Sequence, residues 1–82
     1  MKLKKFLEMH KEGCCQGCVT VEQLPYNHRH HRFAKVYFEE AEQEDILASP
    51  EFRQIADKQV ESFSIIGGGM YPVELCIFLK EE

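Results

Sequence analysis

The segment that most constrains the fold lies late in the chain, where apolar side chains recur at every second position. Residues 73–81 read VELCIFLKE, with Val73, Leu75, Ile77 and Leu79 in alternation. Successive side chains of a β-strand point to opposite faces of a sheet, so this period places all four on one face. That face has to be covered, and we expect the 82 residues to supply the cover themselves as a single domain.

Two earlier segments predict the strands of a hairpin. The first, CVTVEQL, alternates in polarity, and the second, RFAKVYFEE, is rich in aromatic and β-branched residues. We therefore predict strands over residues 18–24, 31–39 and 73–80. The intervening Pro25 belongs to a Pro-Tyr-Asn stretch typical of turns, so the hairpin is expected to turn at residues 24–27.

Two segments predict helices. Apolar residues recur with helical spacing over residues 3–12, and Gly13 is suited to end that helix. Ser49 followed by Pro50 is typical of a helix start, and the apolar stripe behind it predicts a second helix over residues 50–62. The expected order is α-β-β-α-β, an α+β domain with two helices on one face of a mainly antiparallel sheet.

The start of the chain and its apolar runs bear on localisation. The opening MKLKKFLEMHKE is basic but has no apolar stretch behind it, so a secretion signal is not expected. The longest aliphatic-aromatic run, LCIFL, is too short to cross a bilayer. We therefore expect a cytoplasmic protein without a membrane partner, whose cysteines stay reduced.

Charge is distributed unevenly along the chain. The net charge is −4, but residues 1–36 have a balance of +4 and residues 37–82 a balance of −8. The basic half also contains all four histidines. Such asymmetry predicts that the first half attracts an acidic protein or a phosphate backbone.

Cysteine and histidine concentrate between residues 13 and 32, which read GCCQGCVTVEQLPYNHRHHR. Cys15 and Cys18 have the Cys-x-x-Cys spacing at which two sulfurs meet one zinc ion, and Cys14 offers a further sulfur. With the expected turn, Thr20 faces His31, and His31 lies diagonally from Cys18. The predicted ligands of a structural zinc site are Cys14, Cys15, Cys18 and His31, with His10 as an alternative to Cys14.

Simpler interpretations of these cysteines stay open. A second ligand pair with standard zinc spacing is missing, and cysteine is among the most buried residue types, so the thiols can simply pack. A redox pair is less favoured, because a strand rather than a helix follows the motif. Cys76 is expected on the strand face opposite the apolar stripe.

The predicted hairpin tip is basic. His28, Arg29, His30 and Arg32 are expected to form an exposed binding surface beside the aromatic Phe33. Arginines next to an aromatic ring can contact phosphates and stack on bases, which gives single-stranded nucleic acid as an alternative ligand. A solvated hairpin end is the simpler interpretation, and the overall acidic charge argues against nucleic acid.

The stretch RFAKVYFEEAEQEDILASPEF resembles the strand-to-helix segment of the antibiotic-biosynthesis-monooxygenase-like proteins, including their LASPxF-like turn at residues 47–52. The resemblance spans about residues 6–60. It implies a ferredoxin-like packing and a dimer, and it implies no catalytic residue here: the histidine often found at the helix entry of that family is Ile46, and no first strand precedes residue 3.

Two functions follow as expectations. The first is a small non-enzymatic binding or interaction protein that self-associates and uses the basic Cys/His-rich hairpin, with zinc as its cofactor. The alternative is a small dimeric ferredoxin-like enzyme of the monooxygenase type with an apolar pocket. Because a core of this size is marginal, we expect a homodimer that uses the sheet face or an edge formed by residues 73–80.

Overall fold

The structure is a computed structural model that describes residues 1–9, 17–68 and 71–81. Within these ranges the chain forms three short helices and four strands. They are α1 (Leu3–Met9), β1 (Gly17–Asn27), β2 (Arg32–Ala41), α2 (Gln43–Ala48), α3 (Phe52–Ile55), β3 (Val60–Gly68) and β4 (Tyr71–Leu79). The predicted α+β class is confirmed, but the predicted five-element order is wrong because it lacked α2 and β3.

The four strands form one mixed sheet in the order β2-β1-β4-β3. β1 pairs antiparallel with β2, and β3 pairs antiparallel with β4. The two hairpins meet through β1 and β4, which run parallel with Val21 opposite Ile77. β4 is therefore an interior strand. The expectation that residues 73–80 form a dimer edge is wrong, because both sides of that backbone are already paired.

One face of the sheet carries the core, as the alternation predicted. Val19 and Val21 of β1 and Leu75, Ile77 and Leu79 of β4 are at most 5% exposed. All three helices pack on this face. They contribute Leu3, Leu7, Ile46, Phe52 and Ile55 to the same apolar cluster.

The first hairpin is confirmed, but its turn lies later than predicted. β1 continues through Pro25 to Asn27, and residues 28–31 form the turn. The Asn27 side-chain oxygen accepts hydrogen bonds from the backbone N–H groups of Arg29 (2.9 Å) and His30 (3.2 Å). Such a side-chain cap favours a turn here. A register shift in β1 accommodates the proline, whose missing N–H is tolerated at strand irregularities.

The predicted helix over residues 50–62 is only partly right. The Ser49 hydroxyl accepts a hydrogen bond from the Glu51 N–H (3.2 Å), which supports a helical start at this point. The backbone N–H of Arg53 bonds the Pro50 carbonyl, an i to i+3 bond typical of short, tight helical turns. The described helix α3 then ends at Ile55.

The apolar residues assigned to the second half of that helix belong to β3. Val60 lies opposite Leu79 and Phe63 opposite Ile77. Their spacing suits a helix, but their β-branched and aromatic character suits a strand equally well. Pairing with β4 satisfies the backbone hydrogen bonds of the segment and outweighs the helical period.

The first predicted helix and the acidic connection also differ in detail. α1 confirms a helix from Leu3 to Met9, and residues 10–13 lie outside the described residues. The acidic segment after β2, for which no helix was predicted, contains α2, whose Ile46 is fully buried. Gln43 at its start is also buried and donates a hydrogen bond to the Leu7 carbonyl (2.8 Å), which ties α2 to α1.

The ferredoxin-like part of the prediction is not confirmed. That arrangement has the chain order β-α-β-β-α-β. Here the described elements begin with a helix, and each of the two hairpins places one strand at an edge of the sheet.

Candidate metal centre

The structure describes two of the four predicted metal ligands. Cys14 and Cys15 lie outside the described residues, as does the alternative ligand His10. Cys18 lies in β1 and is partly buried, whereas His31 lies exposed in the hairpin turn.

The strand pairing separates Cys18 from His31. Thr20 was expected opposite His31, and this register is wrong, because Val19 pairs with Ala41 and Asn27 pairs with Arg32. The two residues therefore lie near opposite ends of β1, a strand of 11 residues. At strand spacing this separation is on the order of 30 Å, so one ion cannot contact both within a single chain.

Cys18 instead meets two carboxylates from other strands. One ligand atom each of Cys18, Glu40 and Glu74 lies within 4.8 Å of the other two. Cys18 and Glu74 are register partners across β1 and β4, on the sheet face opposite the helices, and Glu40 comes from the end of β2. Cys18 and Glu74 are partly buried and Glu40 is exposed. We call these three residues the thiol–carboxylate cluster.

A bulge in β2 brings Glu40 to this cluster. Val19 pairs with Ala41 and Val21 with Phe38, so two residues of β2 lie opposite Thr20 alone. Glu40 has a φ of 49°, the left-handed region that is costly for a residue with a Cβ atom. Bulges of this kind commonly redirect a side chain next to a functional site.

Thr20 joins two members of the cluster. Its hydroxyl donates a short hydrogen bond to the Glu74 carboxylate and accepts one from the Glu40 N–H (3.0 Å). Thr20 is only 4% exposed, so this hydroxyl is held in one place. It fixes the Glu40 backbone and the Glu74 side chain relative to each other.

The electrostatics of the cluster are uniformly anionic. Burial, followed by the charges of Glu74 and Glu40, raises the pKa of the Cys18 thiol. Burial, followed by the charges of Glu74 and Glu39, raises the pKa of the Glu22 carboxyl. Among the described residues no lysine, arginine or histidine forms an ion pair with Glu40 or Glu74. Within the described part of the chain, these groups therefore repel one another without a compensating cation.

Cys76 borders the same region from β4. It lies opposite Thr20, is 6% exposed and belongs to the face away from the helices, as predicted. Burial first, then the charges of Glu74 and Glu22 and a hydrogen bond with Glu74, raise its pKa to about 11. Cys76 is thus a protonated thiol at neutral pH.

The spacing of the cluster fits a small divalent ion. Three atoms that lie within 4.8 Å of one another share a point about 2.8 Å or less from each, against roughly 2.0–2.3 Å for zinc ligands. A contraction of less than about 1 Å would complete the contacts. A thiolate ligand favours zinc over magnesium or calcium, which take oxygen ligands.

Glu40 and Glu74 were missed as site residues. Glu40 is the second residue of the acidic run of residues 39–45, in which no site residue was predicted. Glu74 alternates with Cys76 on the non-apolar side of VELCIFL, a sequence signal that could have placed both on one face. The bulge that redirects Glu40 leaves no comparable signal in the sequence.

The basic tip is a separate surface. His28, Arg29, His30 and Arg32 are all exposed, as predicted. Three ring contacts lead from the tip towards the sheet: Tyr26 with His28 at 4.9 Å, Tyr26 with Phe33 at 4.8 Å, and Phe33 with Phe78 at 5.4 Å between ring centroids. A protein or nucleic-acid partner at the tip stays a prediction.

Two clefts lie among the described residues on the helical side. One of about 390 Å³ is lined only by polar and charged residues: Gln54, Asp57, Lys58, Gln59, Lys80 and Glu81. The other, of about 330 Å³, is lined half by polar and half by apolar residues: Lys35, Val36, Tyr37, Glu51, Gln54 and Ile55. Neither has the predominantly apolar lining that the enzyme alternative requires.

Comparisons with known proteins identify no family. No protein-family model matches the sequence, and no curated protein or solved structure matches it significantly. The resemblance to the monooxygenase-like proteins therefore stays a prediction. None of the helices within the described residues has the length and apolar character needed to span a membrane.

Proposed function

We propose that the protein is a small non-enzymatic binding domain that holds a divalent metal ion, with zinc as the leading case, at the thiol–carboxylate cluster. The observation that carries this proposal is the convergence of Cys18, Glu40 and Glu74 within 4.8 Å. Burial first, and then repulsion from Glu74 and Glu40, raises the pKa of Cys18, and a bound cation offsets that repulsion.

The supporting residues favour a site that is built before the ion arrives. Thr20 hydrogen-bonds both the Glu74 carboxylate and the Glu40 backbone, so the Glu74 ligand and the backbone that carries Glu40 are already positioned. Hydrogen bonds that orient the ligands of a metal commonly contribute tenfold or more to its affinity. The predicted ligands Cys14 and Cys15 lie four and three positions before Cys18 in the sequence, and we propose them as candidates for the remaining coordination position.

The test is metal binding by the reduced protein, freed of metal with chelator and then titrated with Zn²⁺ in a calorimeter. Co²⁺ in place of zinc reports thiolate coordination through its visible absorption. We expect one ion per chain, an absorption band lost in Cys18→Ser, and affinity reduced at least tenfold in Glu40→Gln and Glu74→Gln. Because Cys18 must lose a proton to bind, affinity should rise with pH.

Two control variants test whether zinc binding depends on these three residues in particular. Glu61→Gln removes the same charge from exposed β3, and His31→Ala removes the ligand predicted at the far end of the hairpin. Both variants should bind zinc like the wild type. Equal affinity in Glu40→Gln, Glu74→Gln and wild type would refute the proposed site, and zinc binding lost in His31→Ala would restore the sequence-based one.

A further inference from the structure

β3 is an edge strand whose outer surface is apolar. At its start the Val60 N–H bonds the Met1 carbonyl, beside a bridge between Lys2 and Gln59. Beyond Val60 the described strand pairs only with β4, and residues 61–67 are all exposed. Phe63 is 54%, Ile65 64% and Ile66 52% exposed. Between Ser62 and Ile66 the strand has no charge, no proline and no register shift against β4. Charges, prolines and bulges are the features by which natural edge strands normally prevent pairing with another chain. Because this segment lacks them, its edge is suited to pairing with a further strand.

α1 extends the apolar surface on the helical side of the sheet. The rings of Phe6 and Phe63 lie 5.3 Å apart between centroids. Met9, one helical turn after Phe6, is 66% exposed. Ile65 lies opposite Leu75, on the same side of the sheet as Phe63, so Phe63 and Ile65 form one apolar surface with Phe6 at the margin of the domain.

We propose that a second copy of this chain covers this surface, in a two-fold dimer whose β3 strands pair antiparallel into one eight-stranded sheet. A two-fold axis perpendicular to the sheet places the helices of both protomers on the same side. The apolar margins of the two protomers then meet, and the outward backbone groups of each β3 find partners.

The side-chain pattern selects one register. On the helical side, pairing has to place Phe63 and Ile65 opposite apolar partners. Centring the pair on Phe63 would place Ile65 against Glu61, and centring it on Ile65 would place Phe63 against Gly67. Only a pair centred on Ser64 places Phe63 of one protomer opposite Ile65 of its partner, in both halves of the dimer.

The exposed apolar area and the distribution of charge are both consistent with a second copy of the chain as the partner. At the exposures given above, Met9, Phe63, Ile65 and Ile66 each leave roughly 100 Å² of apolar surface in solvent. Covering these side chains completely in two copies would remove at most roughly 800 Å² from solvent, and the paired backbones bring the total towards the roughly 1,000 Å² expected of a specific interface. Each chain has a net charge of −4, so the uncharged segment of residues 62–66 is where two copies can approach.

The first test is the mass in solution, measured by light scattering at about 100 µM chain in excess chelator. Chelator removes any association mediated by metal, so this result is independent of the proposed metal site. We expect a dimer for wild type and for Val36→Arg, a matched change at a 45% exposed residue of the other edge strand. Ile65→Arg should be monomeric, with an unchanged circular dichroism spectrum. A monomeric wild type, or a dimeric Ile65→Arg, overturns the proposal.

The second test reports the register. Residues directly opposite in an antiparallel pair have Cα atoms about 4.5–5.5 Å apart, within the range of a disulfide. Because Ser64 also lies opposite Cys76 within its own chain, both variants are made in a Cys76→Ala background. Ser64→Cys should form a disulfide-linked dimer on mild oxidation, with peptide mapping locating the bond at residue 64, and Ser62→Cys should not. Failure of Ser64→Cys to cross-link overturns the proposed pairing.

Discussion

The two edge strands of the sheet, β2 and β3, differ in charge and in the regularity of their pairing. β2 carries charged residues, including Arg32, Lys35 and Glu40, and its pairing with β1 is interrupted by register shifts. β3 pairs regularly between Ser62 and Ile66 and exposes apolar side chains. Irregular, charged strands resist further pairing, and regular apolar ones favour it. The bulge in β2 also brings Glu40 to the thiol–carboxylate cluster. The β2 side is therefore where we propose metal binding, and β3 is where we propose pairing with a second copy.

The largest effect expected concerns pH and the Cys76 thiol, whose pKa is raised first by burial and then by the charges of Glu74 and Glu22. The unperturbed Cys76 thiol titrates at 9.0 and the folded one at about 11. The folded state therefore binds more protons over this range, and stability should fall by roughly 2–3 kcal/mol as pH rises from about 9 to 11. Urea unfolding across this range measures the slope, which Cys76→Ala should reduce.

The contribution of neighbouring carboxylates to the Cys76 pKa can be measured separately. Glu22→Gln should lower the Cys76 pKa, measured by thiol absorbance, whereas Glu61→Gln on β3 should leave it unchanged. An equal response to both substitutions would contradict the separation of charge between the two edges.

The next effect concerns the hydroxyl that supports the β2 bulge. Thr20→Val keeps the side-chain shape but removes both hydrogen bonds, leaving Glu40 N–H and Glu74 without this partner. We expect a loss of about 1–2 kcal/mol in the free energy of unfolding, measured in urea. Ser62→Ala, at an exposed position of β3, should change stability by less than about 0.5 kcal/mol. A similar small change for Thr20→Val would mean that the bulge holds its shape without the hydroxyl.

The smallest effect is the difference in stability between glycine and alanine variants, which should have opposite signs at residues 40 and 39 of β2. Glu40 has a left-handed φ, whereas no such φ occurs at Glu39. Glycine at residue 40 should therefore be more stable than alanine by about 1 kcal/mol, and at residue 39 less stable by about 0.5–1 kcal/mol. Both substitutions remove the carboxylate, so each comparison isolates the Cβ atom. Thermal or urea unfolding of the four variants measures the difference in stability between glycine and alanine at each position. If that difference has the same sign at both positions, a backbone preference specific to the bulge is excluded.

The features that the sequence predicts well are those set by local periodicity. The alternation of residues 73–79 placed the core face of β4 correctly, and it correctly placed Cys76 on the other face. The stripe of Leu3 and Leu7 likewise predicted the buried side of α1. In each case one face is apolar over several residues, and neighbouring elements only have to cover it.

The predictions that failed concern features that depend on contacts between distant segments of the chain. Val60 and Phe63 fit a helical period and also a strand, and only pairing with β4 decides between the two. Likewise, the Cys18 partners come from the end of β2 and from within β4, so a search for nearby Cys and His spacing could not find them. The site depends on the register and on a bulge, which no local pattern encodes.

The parallel pairing of β1 with β4 has a consequence for the order of folding. The Thr20 hydroxyl and the Glu74 carboxylate that it bonds are 54 positions apart in the chain. During synthesis the first hairpin can form early, but β1 acquires its second neighbour only after nearly all described residues have left the ribosome. Contacts of such long sequence separation slow folding, because the intervening loop has to close first. Until then one edge of β1 lacks its partner strand, and an unpaired strand edge is a feature that chaperones protect in nascent chains.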